Sequence, residues 1–235
     1  VYNIYYMNKL NDPSTGVSLD SFISSLDLSS FSGKKVFIDG GAHHLEGLNY
    51  FIDRGVVTNE FEIHSFEANP ACQTQQRIKD SQNLDSFKIN FHEKAVWTED
   101  SSISFKQENH QISCSGSPSD GKSDVDGWGS SVDLAQMHHG GYETKIVVPS
   151  IDFSKFLTQF SSEDLIFCKF DIECSEYPVL RHLINAGEIK RIHTLFVEFH
   201  PHFTNGVETH EGSTMALVNQ IRDLGVNVFL ANIDY

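Results

Sequence analysis

From residue 34 onward, short apolar runs alternate along the chain with stretches of helical spacing. Lys34-Lys35-Val36-Phe37-Ile38-Asp39, stopped by Gly40-Gly41, reads as a strand buried on both faces. A helix is predicted over residues 45–54, ending at Gly55. Phe61-Glu62-Ile63-His64-Ser65-Phe66-Glu67 is a second strand, and Asn69-Pro70 stops it and opens a helix to about residue 81. A third strand lies near residues 87–91, with Ala95-Val96-Trp97 after it.

The alternation resumes with a fourth strand at Leu165-Ile166-Phe167-Cys168-Lys169-Phe170-Asp171, a helix over 177–186 closed by Gly187, and a fifth strand over 193–199. A helix over 213–224 ending at Gly225 and a sixth strand over 226–230 complete it. Strand–helix–strand order with these lengths predicts an α/β fold: a Rossmann-like parallel sheet with helices on both faces. Between strands three and four, residues 103–105 and 145–148 read as short strands. They flank a stretch rich in Ser, Gly, Asp and His (residues 107–141) that is expected to be a substrate-side loop or lid. Residues 1–33 form an N-terminal extension with one helix over 19–26, and residues 34–235 the main domain.

Composition narrows the class. A formal net charge of −15 leaves no basic footprint for phosphates, so nucleic acid is not an expected partner. No apolar run is long enough to span a bilayer, and the N-terminus lacks signal-peptide character, so a cytoplasmic location is expected. The chain starts at Val1, which leaves room for an upstream segment. The four cysteines, Cys72, Cys114, Cys168 and Cys174, form no metal-binding spacing and are expected to be reduced.

Candidate chemistry gathers at the carboxyl ends of the predicted strands, where open α/β sheets bind ligands. Asp39-Gly40-Gly41-Ala42-His43 ends the first strand, and its glycines would let the backbone approach a ligand closely. The spacing is not that of the dinucleotide fingerprint, which counts against a nicotinamide-dependent oxidoreductase. Glu67-Ala68-Asn69 ends the second strand, and an acid there can accept both ribose hydroxyls of an adenosine cofactor. Lys169-Phe170-Asp171-Ile172-Glu173-Cys174-Ser175-Glu176 follows the fourth strand. If the strand continued, alternation would place Asp171 and Glu173 on one side, with Lys169 as their possible partner. These two carboxylates could orient a hydroxyl, act as a base or hold a divalent metal, while Ser175 and Glu176 read as helix caps. His200, after the fifth strand, stands where a general base could, with His202 a weaker candidate. His43, His44, His138 and His139 lie near loops and could join a metal site, although their spacing is unspecific.

Taken in order, these segments resemble the FkbM-type methyltransferase family. The resemblance runs from Val36-Phe37-Ile38-Asp39-Gly40-Gly41-Ala42 through Ser65-Phe66-Glu67-Ala68-Asn69-Pro70, Ala95-Val96, Ser130-Ser131 and Val147-Val148-Pro149-Ser150-Ile151-Asp152. It ends with Lys169-Phe170-Asp171-Ile172-Glu173 and Val197-Glu198-Phe199-His200. It implies the class I methyltransferase fold, S-adenosylmethionine as cofactor and methyl transfer to a hydroxyl of a saccharide, glycan or hydroxylated natural product. By position, Asp39, Gly40, Gly41 and Ala42 would line the methionine portion, with His43 beside them. Glu67 would hold the ribose, next to Ala68 and Asn69, and Ala95 and Val96 would flank the adenine. Asp171 and Glu173 would lie near the reacting methyl. Two departures stand out. Cys174-Ser175 replaces the Gly-Ala pair common after the Asp-Ile-Glu run, and His43-His44-Leu45-Glu46 replaces a small polar stretch with Gly. The antiparallel seventh strand usual in that fold is not visible. A non-catalytic binding or assembly domain on the same fold is the alternative from a different class.

Overall fold

The computed structural model describes residues 10–28, 31–108, 131–132, 143–200 and 211–233. Six strands form one parallel sheet: β1 (Lys35–Gly40), β2 (Phe61–Phe66), β3 (Lys88–His92), β8 (Leu165–Phe170), β9 (Thr194–Phe199) and β10 (Asn227–Ile233). Their spatial order is β10-β9-β8-β1-β2-β3, and every neighbouring pair is parallel. The order reverses between β1 and β8, which makes their carboxyl ends the topological switch point of the sheet.

Alternation along the strands builds two cores. Val36 and Ile38 of β1, Ile166, Cys168 and Phe170 of β8 and Leu195, Val197 and Phe199 of β9 face one side. There they pack under α4 (Phe153–Leu157), α5 (Glu176–Ala186) and α6 (Glu211–Asp223). Phe37, Leu165, Phe167, Phe196 and Phe229 face the other side. Leu48 and Phe51 of α2 (Glu46–Asp53) and Leu19 of α1 (Leu19–Ser25) cover them. Helices therefore sit on both faces, as the run of buried strands predicts.

The N-terminal segment is tied down at several points. Ser18 caps α1 by accepting from Ser21 N. The buried Asp12 carboxylate pairs with Arg222 at 2.7 Å and accepts from Leu230 N at 3.1 Å, joining the segment to α6 and β10.

Three expectations change in detail. The helix predicted after Asn69-Pro70 breaks in two: a 3-10 turn (Pro70–Cys72), then α3 (Thr74–Asp80), with Gln73 between them in the left-handed region at φ 51°. The fourth strand stops at Phe170, before Asp171. The short strands around the insertion are longer than predicted. β5 (Ser102–Glu108) pairs antiparallel with β7 (Glu143–Asp152), and β7 then pairs parallel with β4 (Ala95–Trp97). The two-residue β6 (Ser131–Val132) completes this second sheet, in the order β4-β7-β5-β6. The rest of the predicted lid, Ser130, Cys114, His138 and His139 lie outside the described residues, as does His202. Among the described residues no helix is long and apolar enough to cross a membrane, and Cys168 and Cys174 are free thiols.

Candidate active site

The site grows from the ends of β1, β2, β8 and β9. After β1 the chain folds back over the end of β2: Gly41 N and Ala42 N both donate to Phe66 O, at 3.1 and 2.9 Å. Gly41 takes φ 74°, and a Cβ there would sit 1.8 Å from Asp171 O. Sequence reasoning assigned this glycine to close approach by a ligand. In the fold its missing side chain admits the backbone of the β8 turn instead, and Asp171 N donates to Gly40 O at 3.2 Å. The first motif and the acidic motif are thus one structure.

Lys169 fastens them together. It is buried at 6% exposure, its Nζ donates to Gly41 O at 2.7 Å, and it forms ion pairs with Asp39 at 3.3 Å and Asp171 at 3.6 Å. Gly47 leaves room for the lysine stem, since a Cβ there would stand 3.1 Å from Lys169 Cε. Asp39 has no exposure. Burial pushes its pKa up to about 6 against the pull of Lys169. Its carboxylate therefore points into the protein, where it balances a lysine.

Glu67 ends β2 at 8% exposure. Its Oε2 accepts from His43 N at 2.8 Å and its Oε1 from Asn69 N at 2.7 Å. Burial raises its pKa, although these two backbone bonds oppose the shift. The Asn69 side chain is spent on structure, accepting from Ala71 N at 3.0 Å to cap the 3-10 turn. Ala68 and Ala95 meet in one small apolar cluster with Phe105 and Val148, while Val96 belongs to the core on the α5 face. Ala42 is buried beside Leu45 and Leu48.

Past β8, Glu173 and Cys174 both adopt left-handed backbone, at φ 48° and 78°. The two left-handed residues turn the chain so that Asp171 and Glu173 converge through a bend, not through strand alternation. Cys174 is the first of the two departures from the resemblance, at a position a glycine would enter without the roughly 1–2 kcal/mol that a side chain costs. His43 and Leu45, at φ 42° and 71°, mark the other departure in the same way. Non-glycine residues held left-handed cluster at functional sites.

Into this bend β9 delivers His200, 6% exposed. Its Nε2 lies 3.9 Å from Asp171 Oδ1 and 3.8 Å from Glu173 Oε2, and its Nδ1 lies 3.3 Å from Glu176 Oε1. Burial disfavours charge on this ring, but Glu173, Glu176 and Asp171 outweigh it and hold the pKa well above the ordinary value. Burial and the neighbouring carboxylates raise Glu173 as well, with His200 opposing. Several carboxylates around one imidazole make this a region that favours positive charge.

Glu176 is the residue that sequence reasoning misplaced. It was expected to be a helix cap with Ser175. Ser175 makes no side-chain cap bond. Glu176 is fully buried, accepts from Ile172 N at 2.8 Å and backs the His200 ring. An acid in the first turn of a helix is ordinarily a solvated cap, so nothing in the spacing distinguished it. Nearer α2, His43 and His44 stack at 3.9 Å between ring centroids, and Glu46 Oε1 lies 3.2 Å from His43 Nδ1. Burial opposes ionisation of Glu46, but the two histidines draw its pKa down to about 2.

A family model for the methyltransferase FkbM domain matches residues 39–225, from the first motif to the end of α6. The chain belongs to this family. A comparison with curated proteins gives no match. Among solved structures, the FkbM methyltransferase of Methylobacillus flagellatus KT is similar at 18% identity and a TM-score of 0.37, over 78% of this chain. The chain spans 36% of that protein's length. The FkbM-domain match covers every residue brought together here, so the convergence of Asp39, Glu67, Asp171 and His200 lies within a methyltransferase domain.

Proposed function

We propose that this FkbM domain is an S-adenosylmethionine-dependent methyltransferase that acts on a hydroxyl group, with a saccharide, glycan or hydroxylated natural product as acceptor. The observation that carries the reading is the placement of Glu67. It is a buried carboxylate at the end of β2, braced by two backbone amides, beside the switch point of a parallel sheet. Each of its oxygens accepts one backbone bond and keeps a lone pair for a ribose hydroxyl. Gly41, Ala42 and His43 lie across from it and would hold the methionine portion, and Ala68 and Ala95 would supply apolar surface for the adenine. S-adenosylmethionine, when bound, would supply an activated methyl on a sulfonium for transfer to the acceptor oxygen, with the C–S bonding electrons left on sulfur.

The chain's own work is alignment and proton handling. Asp171 would receive the hydroxyl proton, with His200, held in its charged form by the surrounding carboxylates, beside it. A divalent cation on Asp171 and Glu173 is the other way to acidify that hydroxyl. The acidic rim also suits a cationic sulfonium and disfavours an anionic acceptor.

Calorimetry with S-adenosylmethionine and S-adenosylhomocysteine tests this, with NAD as the control and Glu67→Ala alongside. Binding in the micromolar range that Glu67→Ala weakens about tenfold or more supports the reading. A folded chain that binds NAD instead, or neither compound, points to an oxidoreductase or to a non-catalytic domain.

A further inference from the structure

His200 is arranged as metal-ligating histidines are. One ring nitrogen faces a buried carboxylate, Glu176, and the other faces outward at two further carboxylates. In protein metal sites the ligating imidazole commonly donates its second N–H to a carboxylate, which fixes the tautomer and aims the free nitrogen at the ion. With Nδ1–H donating to Glu176, an incoming cation would displace the Nε2 proton and meet a nitrogen aimed at Asp171 and Glu173.

The gaps on that side are informative. At 3.8 and 3.9 Å from Nε2, the carboxylate oxygens are beyond hydrogen-bond reach. They remain within the span of ligands sharing one ion, since donors on opposite sides of a metal with bonds of about 2.1 Å lie about 4 Å apart. All three donor atoms fall within 4.8 Å of one another. The left-handed backbone at Glu173 and Cys174 is the local distortion that brings them there.

We propose that Asp171, Glu173 and His200 form a divalent-cation site, with Glu176 orienting the histidine. Two hard oxygens and one imidazole suit Mg2+ or Mn2+, and three protein ligands leave coordination positions open. Resting on the methyltransferase reading of this strand end, those positions would take the acceptor oxygen, so the acceptor class is a polyol presenting adjacent hydroxyls. A second group, His43, His44 and Glu46, also gathers ligand atoms, but its carboxylate is already occupied by His44 N and the His43 ring.

Mn2+ titration followed by electron paramagnetic resonance, on the whole chain stripped with chelator, tests the site without any need for turnover. One ion per chain is expected. Glu176→Gln should weaken binding about 10–100-fold, and Asp171→Asn and Glu173→Gln should weaken it at least as much. His44→Ala should leave it unchanged. Circular dichroism melts check each fold, and Glu173, which unlike Asp171 is not paired with the buried Lys169, offers a substitution less coupled to the core. Absence of Mn2+ binding at millimolar concentration in the folded chain overturns the proposal. So does binding that survives Asp171→Asn and Glu173→Gln but is lost in His44→Ala. S-adenosylhomocysteine calorimetry on the same samples separates the outcomes: its failure sinks the methyltransferase reading while the manganese signal still reports on the cation site.

Discussion

A buried lysine held between two strand ends is an unusual expense, since an ammonium loses its hydration on burial. Lys169 recovers this through Asp39, Asp171 and Gly41 O. Asp39 and Lys169 are therefore a coupled pair, and each is costly without the other. We expect Lys169→Met to destabilise the fold by about 3–5 kcal/mol, because it leaves the Asp39 carboxylate buried and unpaired. Adding Asp39→Asn should return a large part of that loss. Urea unfolding at pH 7.5, above the raised Asp39 pKa of about 6, measures both variants and the double variant. Losses that simply add would refute the coupling. The sequence offered Lys169 only as a partner for the acids beside it. Its bond to the β1 turn depends on which strands are neighbours, and local spacing does not carry that information.

At the scale of elements, the parallel sheet was legible because its strands are buried on both sides and read as unbroken apolar runs. Val36-Phe37-Ile38 and Leu165-Ile166-Phe167-Cys168 are such runs. The second sheet was harder to read. β7 changes partner along its length, antiparallel to β5 as far as Pro149 and parallel to β4 from Ser150, so no single alternation describes it. The bend after β8 was also hidden, since Glu173 and Cys174 do not announce left-handed backbone as glycine does. The N-terminal segment was read as an extension on the main domain, and its attachment can be measured. Asp12 is 2% exposed and serves both Arg222 and Leu230 N. We expect Asp12→Ala to cost about 2–3 kcal/mol by leaving a buried amide unsatisfied and breaking the ion pair, whose arginine is partly solvated. Hydrogen exchange should show faster opening at β10 and α1 than in β1 and β8. Uniform acceleration across the sheet would instead mean that the segment is integral to global folding.

For the molecule as a whole, pH response is a difference between opposing groups. Burial lowers the pKa of His64 to about 4, helped by His92 and Lys88 and opposed by Glu62. His92 is lowered too, and the two rings share one hydrogen bond at 3.0 Å, which requires the accepting ring to be neutral. The unfolded chain binds protons at these histidines from about pH 6.5, whereas the native His64 resists until about pH 4. Their contribution is therefore complete above pH 6.5 and is lost as pH falls through that window. Asp39 acts in the opposite direction: its raised native pKa makes the fold bind a proton first, so its contribution grows as pH falls from about 6 toward 3.8. A stability curve of the unaltered chain would show little net slope from these two groups, and the cancellation would hide both. The comparison that isolates the histidine is His64→Phe, which keeps an aromatic ring against Phe156 and Phe160. Between pH 7 and 4.5 we expect that variant to retain up to about 3 kcal/mol more of its neutral-pH stability than the parent does. Parallel curves for the two proteins in urea titrations would show that His64 is not held neutral by the fold.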